Sequence, residues 1–154
     1  MATIVEDWLG YLEQRGCRIT LSVRAVVEVV ATSTRVLRPP QLLAQVRARY
    51  PRTSLHTVNR TLARLLALGL IQRVHDAAGQ PAFLAAGAER LPLVICERCG
   101  EAEYVECQNA ARLLEDIEER TGFALRDPTL RLFGVCAQCQ SALQSPHAAH
   151  HQPG

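Results

Sequence analysis

Ser54-Leu55-His56-Thr57-Val58-Asn59-Arg60-Thr61-Leu62-Ala63-Arg64-Leu65-Leu66-Ala67-Leu68-Gly69-Leu70-Ile71-Gln72-Arg73-Val74 is the stretch on which the fold turns. Ser54 suits an N-cap, because its hydroxyl accepts an N–H from the first helical turn. Leu55, Val58, Leu62, Leu65 and Leu66 then recur at helical spacing, and Gly69 is the residue where such a helix turns away. Past Gly69 the apolar period changes. Leu70-Ile71-Gln72-Arg73-Val74 and Pro81-Ala82-Phe83-Leu84 read as short strands around Asp76-Ala77-Ala78-Gly79, a β-hairpin turning at Gly79.

Upstream of Ser54 the chain reads as three more helices. Ile4, Val5, Trp8, Leu9 and Leu12 share one helical face, and Gly16 ends that segment. Thr20 caps a second helix carrying Val23, Val26, Val27 and Val30. Pro39-Pro40 opens a third, Gln41 to about Arg49, with Leu42, Leu43 and Val46 inward and Pro51 as its stop. Helix, short turn, helix and hairpin is the order of a winged helix-turn-helix, whose last helix lies in a DNA major groove.

On that reading the outward residues of the fourth helix are His56, Thr57, Asn59, Arg60, Ala63 and Arg64. Arg60 and Arg64, one turn apart, suit phosphates. Asn59 suits adenine, and Thr57 or His56 a base or phosphate. Arg18 and Arg24, near the second helix's start, add candidates for groove or backbone contact. A solvated helix face is the ordinary alternative, and the charge distribution weighs against it. Residues 1–80 hold 11 Arg against 5 acids, a net of +6, whereas residues 81–154 hold 6 Arg against 10 acids, a net of −4. The chain has no Lys. A basic half suited to a polyanion is followed by an acidic half with another task.

That acidic half carries Cys96-Glu97-Arg98-Cys99 and Cys136-Ala137-Gln138-Cys139, with 36 residues between them. Two equal C-x-x-C hooks are the usual form of a tetrahedral four-cysteine zinc site. Gly100 suits the tight knuckle after the first hook. A redox dithiol or a disulfide pair is the alternative, and two equal hooks fit it less well. Four closed thiolates make a structural site rather than a catalytic one. Leu93-Val94-Ile95 leads into the first hook, and Glu101 to Glu106 alternates after it. Asn109 is expected to cap a helix with Ala110, Leu113, Leu114 and Ile117 inward, which Gly122 ends. Phe123-Ala124-Leu125 and Leu130-Arg131-Leu132-Phe133 are expected strands around an Asp127-Pro128 turn.

The expected fold class is therefore α+β: a winged helix-turn-helix followed by a small α/β domain holding a four-cysteine zinc site. The boundaries are 1–85, a hinge at 86–90, a second domain at 91–144 and a polar, disordered tail at 145–154. With 154 residues and 48% hydrophobic content, the chain can bury one good core or two small ones. The opening residues lack the basic start and apolar core of a secretory signal, and no run of about 18 apolar residues exists. A cytoplasmic protein without a membrane contact is expected, in a compartment that keeps its thiols reduced.

These residues resemble the ferric uptake regulator family of bacterial metalloregulators, from about Gly16 to Cys139. Gly16-Cys17-Arg18-Ile19-Thr20, then Arg24, looks like the family's opening basic motif. Thr57-Val58-Asn59-Arg60-Thr61-Leu62 looks like its recognition helix, followed by Leu68-Gly69-Leu70-Ile71. Ile95-Cys96-Glu97-Arg98-Cys99-Gly100 resembles its first knuckle; Gly122-Phe123 and Gly134-Val135-Cys136-Ala137-Gln138-Cys139 resemble its closing motifs. The C-terminal half is most similar to zinc-uptake regulators. The resemblance implies a homodimer that binds double-stranded DNA at an inverted repeat, commonly as a repressor. It also implies a C-terminal dimerisation domain and structural zinc, about one per chain. The family's minor-groove basic residue would correspond to Arg18 and its recognition tyrosine to Asn59.

The departures fall at the sensor. Leu91 and Leu93 stand where the family commonly has metal-binding histidines, Leu84 at the hinge acid and Pro128 at a further histidine. The regulatory metal is therefore unknown or absent. Cys107 with Glu103, Glu106 and His75 is the remaining candidate site, against the plainer reading of an unligated surface cysteine. Cys17 reads as a small residue at a helix boundary, and His147, His150 and His151 as part of a solvated tail. A zinc-ribbon thiol switch that releases zinc on oxidation is the alternative function. An enzyme is not expected: there is no Ser-His-acid or Cys-His constellation, no phosphate loop and too few histidines for an open metal site.

Overall fold

The computed structural model describes residues 3–87, 91–126 and 129–144. The chain divides into two compact units, Met1–Ala88 and Glu89–Gly154. Most of the expected hinge, the Asp127-Pro128 turn, and the tail with His147, His150 and His151 lie outside the described residues.

The first unit is built from four capped helices and a hairpin. Helix α1 (Ile4–Gln14) starts at Thr3, whose side chain accepts from Glu6 N, and α2 (Leu21–Thr32) starts at Thr20, which accepts from Val23 N. Helix α3 (Pro39–Arg47) opens on two prolines, with Arg38 N donating to Gln41 Oε1 at 2.9 Å. Helix α4 (Leu55–Ala67) starts at Ser54, which accepts from Thr57 N at 3.1 Å. Its end carries the two-bond closure expected of a left-handed glycine. Gly69 has φ 69°, its N–H reaches Leu66 O, and Leu70 N reaches Leu65 O.

Strands β1 (Ile71–His75) and β2 (Pro81–Ala85) pair antiparallel, Arg73 opposite Phe83, and Leu37 bridges to Phe83 on the far side. The turn is held by Asp76, which accepts from the N–H groups of Ala78 and Gln80 and receives the Arg38 guanidinium from the start of α3. Trp8, Leu12, Val26, Val27, Val30, Leu42, Val46, Val58, Leu62 and Leu65 form one buried cluster under the four helices. Ile4 and Leu55, expected inward, are exposed at the helix starts.

The second unit contains β3 (Leu93–Cys96), β4 (Ala102–Tyr104), α5 (Ala110–Thr121), β5 (Arg131–Gly134) and α6 (Ala137–Gln144). The sheet order is β4-β3-β5, with β3 antiparallel to β4 and parallel to β5. Three expectations are corrected here. Phe123-Ala124-Leu125 is not a strand: Leu125 N donates to the Glu118 carboxylate and Phe123 N to Thr121 Oγ1, so this stretch folds back on the end of α5. Asn109 makes no side-chain cap bond. The stripe on α5 is not buried within the chain, for only Ala110 is buried and Leu113 is 49% exposed. No helix among the described residues is long and apolar enough to cross a membrane.

Candidate metal centre and nucleic-acid interface

Parallel pairing brings the two hooks together. Cys96 ends β3 opposite Gly134 at the end of β5, so both knuckles leave the sheet at the same edge. Cys99 sits in the turn that Gly100 closes, with φ 78° and its N–H on Cys96 O at 3.0 Å. Cys136 follows β5 and Cys139 lies in the first turn of α6. The four sulfurs lie within 4.8 Å of one another, the one such group of potential ligands among the described residues.

The set fits zinc in two respects. A regular tetrahedron with Zn–S near 2.3 Å has edges of about 3.8 Å, and Cys99 Sγ lies 3.7 Å from Cys136 Sγ. That separation is far beyond a disulfide bond. Backbone N–H groups also point at sulfur, from Cys136 to Cys96 Sγ at 3.3 Å and from Glu101 to Cys99 Sγ at 3.4 Å. The N–H groups of Cys136 and Cys99 lead in lowering the Cys96 thiol to about 6. Its hydrogen bonding with Cys136, and then burial, push Cys139 up to about 12. A dication held by all four sulfurs would displace their thiol protons. With no fifth donor in the group, the site suits a closed structural ion.

The other expected ligands do not converge. Cys107, Glu103 and Glu106 are exposed and belong to no group of three potential ligands, and His75 is exposed on β1. Cys17 packs against the helical core. Leu93 is fully buried on β3 and Leu84 is 5% exposed on β2. Both are core residues, whereas Leu91 is half-buried and Pro128 lies outside the described residues.

On the basic unit, α4 turns Val58, Thr61, Leu62 and Leu65 inward. His56, Asn59, Arg60 and Ala63 are exposed, with Thr57 and Arg64 half-buried at the edge of that face. Arg18 stands in the link between α1 and α2. It shares with Arg60 and Arg64 a hollow of about 350 Å³, lined also by Gly16, Thr20, Val23, Thr57 and Thr61. Arg24 does not line that hollow; it pairs with Glu6 Oε1 at 2.7 Å, which raises its already high pKa. The sequence singled out the arginines but not Gly16, Thr20 or Thr61. Gly16 and Thr20 read there only as a helix end and a cap, and Thr61 as an inward position of α4; their place beside the arginines comes from the packing of α2 on α4.

A model of the ferric uptake regulator family matches residues 14–133. A ferric uptake regulation protein of Legionella pneumophila is 31% identical over 86 residues, 56% of this chain and 63% of that protein. The match thus spans less than two thirds of that relative's length. A zinc uptake regulation protein of Mycobacterium tuberculosis is 24% identical over 126 residues, 82% of this chain and 97% of that protein. The fold is similar to that of a zinc uptake regulator complexed with zinc and DNA. The TM-score is 0.64 and the identity 22%, over 94% of this chain and 100% of the other.

Proposed function

The chain belongs to the ferric uptake regulator family, and from that premise we propose that it is a homodimeric, sequence-specific DNA-binding regulator that represses from an inverted-repeat operator. Membership makes it a transcription regulator and not an enzyme. Residues 1–85 are its DNA-binding domain and 91–144 its dimerisation domain. The observation that carries the DNA reading is the outward face of α4, where Asn59, Arg60 and Arg64 stand with no acidic residue on the helix. Arg18, His56 and Thr57 extend that face. Arg24 joins it by exchanging Glu6 for phosphate, which an exposed ion pair permits.

Cys96, Cys99, Cys136 and Cys139 hold one structural zinc per chain, which fixes the end of the sheet from which α6 departs. The zinc supplies cross-linking of β3 to β5 and no chemistry of its own. Double-stranded DNA is read without a regulatory metal, because Leu84, Leu91 and Leu93 stand where ligands would be and two of them are core residues. A gel-shift titration of zinc-loaded protein tests both claims. Binding to an enriched duplex at full strength without added metal is expected. A steep dependence on added zinc, iron or manganese overturns the metal-independent reading, and no binding to any duplex overturns the DNA reading.

A second reading rests on the exposure of the sulfurs. Cys99, Cys136 and Cys139 are only half-buried, so an oxidant reaches them and the zinc is released as the thiolates are oxidised. Full zinc retention under mild peroxide excludes that switch.

A further inference from the structure

The hollow beside α4 brings together groups that the DNA reading uses only as a list. Three arginines line it, Arg18 in the link before α2 and Arg60 and Arg64 one turn apart on α4. The other lining residues are Gly16, Thr20, Val23, Thr57 and Thr61, so no carboxylate faces the three charges. Other arginines of this unit are used differently. Arg38 is tied to Asp76, Arg47 to Thr53 O and Arg49 to Glu28. Three cations held around one space, with no counter-charge, repel one another unless an anion joins them.

The hydroxyls and helix ends agree. Thr20 Oγ1 accepts from Val23 N, which leaves its own proton free to donate into the hollow. Neither α2 nor α4 has an acid in its first turn, so the positive ends of both helices are uncompensated. We propose that Arg18, Arg60, Arg64 and the Thr20 hydroxyl form a single seat for one backbone phosphate in each half of the operator. The inference rests on the DNA reading and deepens it. It also reassigns Arg18: in this chain the residue serves the phosphate chain together with α4, rather than reading the minor groove as the resemblance implies. Guanidiniums suit that task because each offers paired N–H donors to phosphate oxygens.

The test uses the full-length zinc-loaded protein and a duplex enriched from a random pool, with backbone phosphates replaced one at a time by neutral methylphosphonates. Affinity of the wild-type protein should fall about ten- to a hundredfold at one phosphate per half-site, as for loss of charged hydrogen bonds. Arg18→Gln, Arg60→Gln and Arg64→Gln should each make that same position nearly indifferent to neutralisation. Their combined loss should fall well short of the product of the single losses. Three arginines answering to three different phosphates overturns the shared seat while leaving the DNA reading intact. So does an Arg18→Gln protein that has lost its response to 3-deazaadenine, which removes the minor-groove N3 acceptor. Inorganic phosphate added at constant ionic strength separates a free anion from the backbone. Unchanged duplex affinity supports the seat, and weakening confined to the wild-type protein overturns the choice of DNA as its source. Failure of any duplex to bind overturns both readings together.

Discussion

Leu93 and Cys96 lie three positions apart on one strand, and place in the sheet rather than burial separates them. Both are enclosed, at 0% and 5% exposure. Cys96 ends the strand where the second knuckle arrives, whereas Leu93 sits mid-sheet opposite Tyr104 and Arg131. Cys96→Ser should lower metal content from about one zinc per chain to near none. Metal analysis after gel filtration checks this, and full zinc retention in the variant removes Cys96 from the site. On the basic unit the residue to test is Asp76. Burial alone would raise its carboxyl, but the Gln80 N–H, the Arg38 guanidinium and the Ala78 N–H hold it below the usual carboxylate range. A carboxyl whose folded pKa is depressed adds stability above its unfolded value near 3.9, and that stability is lost as pH falls through the folded value. Asp76→Asn should therefore cost about 1–3 kcal/mol at neutral pH. It should also flatten the loss of stability in acid. A variant as stable as the parent at pH 7 removes Asp76 from the turn's support.

At the scale of elements, α4 and α5 make opposite use of amphipathic sequence. The stripe of α4 is covered by α2, α3 and the hairpin, and its end depends on one left-handed residue. Gly69→Ala keeps every contact but puts a Cβ at φ 69°, which should cost about 1–2 kcal/mol. A lowered urea midpoint with an unchanged slope is the expected signature, and no shift means the turn relaxes elsewhere. Among the described residues the stripe of α5 is only partly covered: Leu114 and Ile117 are half-buried, Leu113 is 49% exposed, and Leu132 and Phe133 on β5 are 53% and 46% exposed. The expectation of an inward helix misjudged where its cover comes from. Periodicity reports that a face is apolar, and it says nothing about whether the same chain or another buries it. The Phe123 stretch failed as a strand for a related reason. Its residues suit a sheet, but the backbone bonds go to Thr121 and Glu118.

For the whole molecule, those uncovered residues favour a second copy as the cover. The proposed dimer should fall apart when charge is placed in that face. Leu132→Glu, paired with Leu113→Glu, should shift sedimentation to the monomer and weaken duplex binding with it, since two half-sites are no longer held at one spacing. A double variant that remains dimeric places the interface elsewhere. Much of this architecture was legible beforehand. Capping residues, the glycine stops, the change of period after Gly69 and the paired hooks act over a few residues, so sequence alone determined the four helices, the hairpin and which four cysteines to watch. The hollow beside α4 and the edge shared by the two knuckles were not legible. Gly16, Arg18 and Thr20 meet Thr57, Arg60 and Arg64 only because α2 packs across α4. The hooks meet only because β5 returns parallel to β3. Local chemistry determined what each segment is. Which charges share one space, and which sulfurs cluster, was decided by tertiary packing, because those distances depend on contacts far apart in the chain.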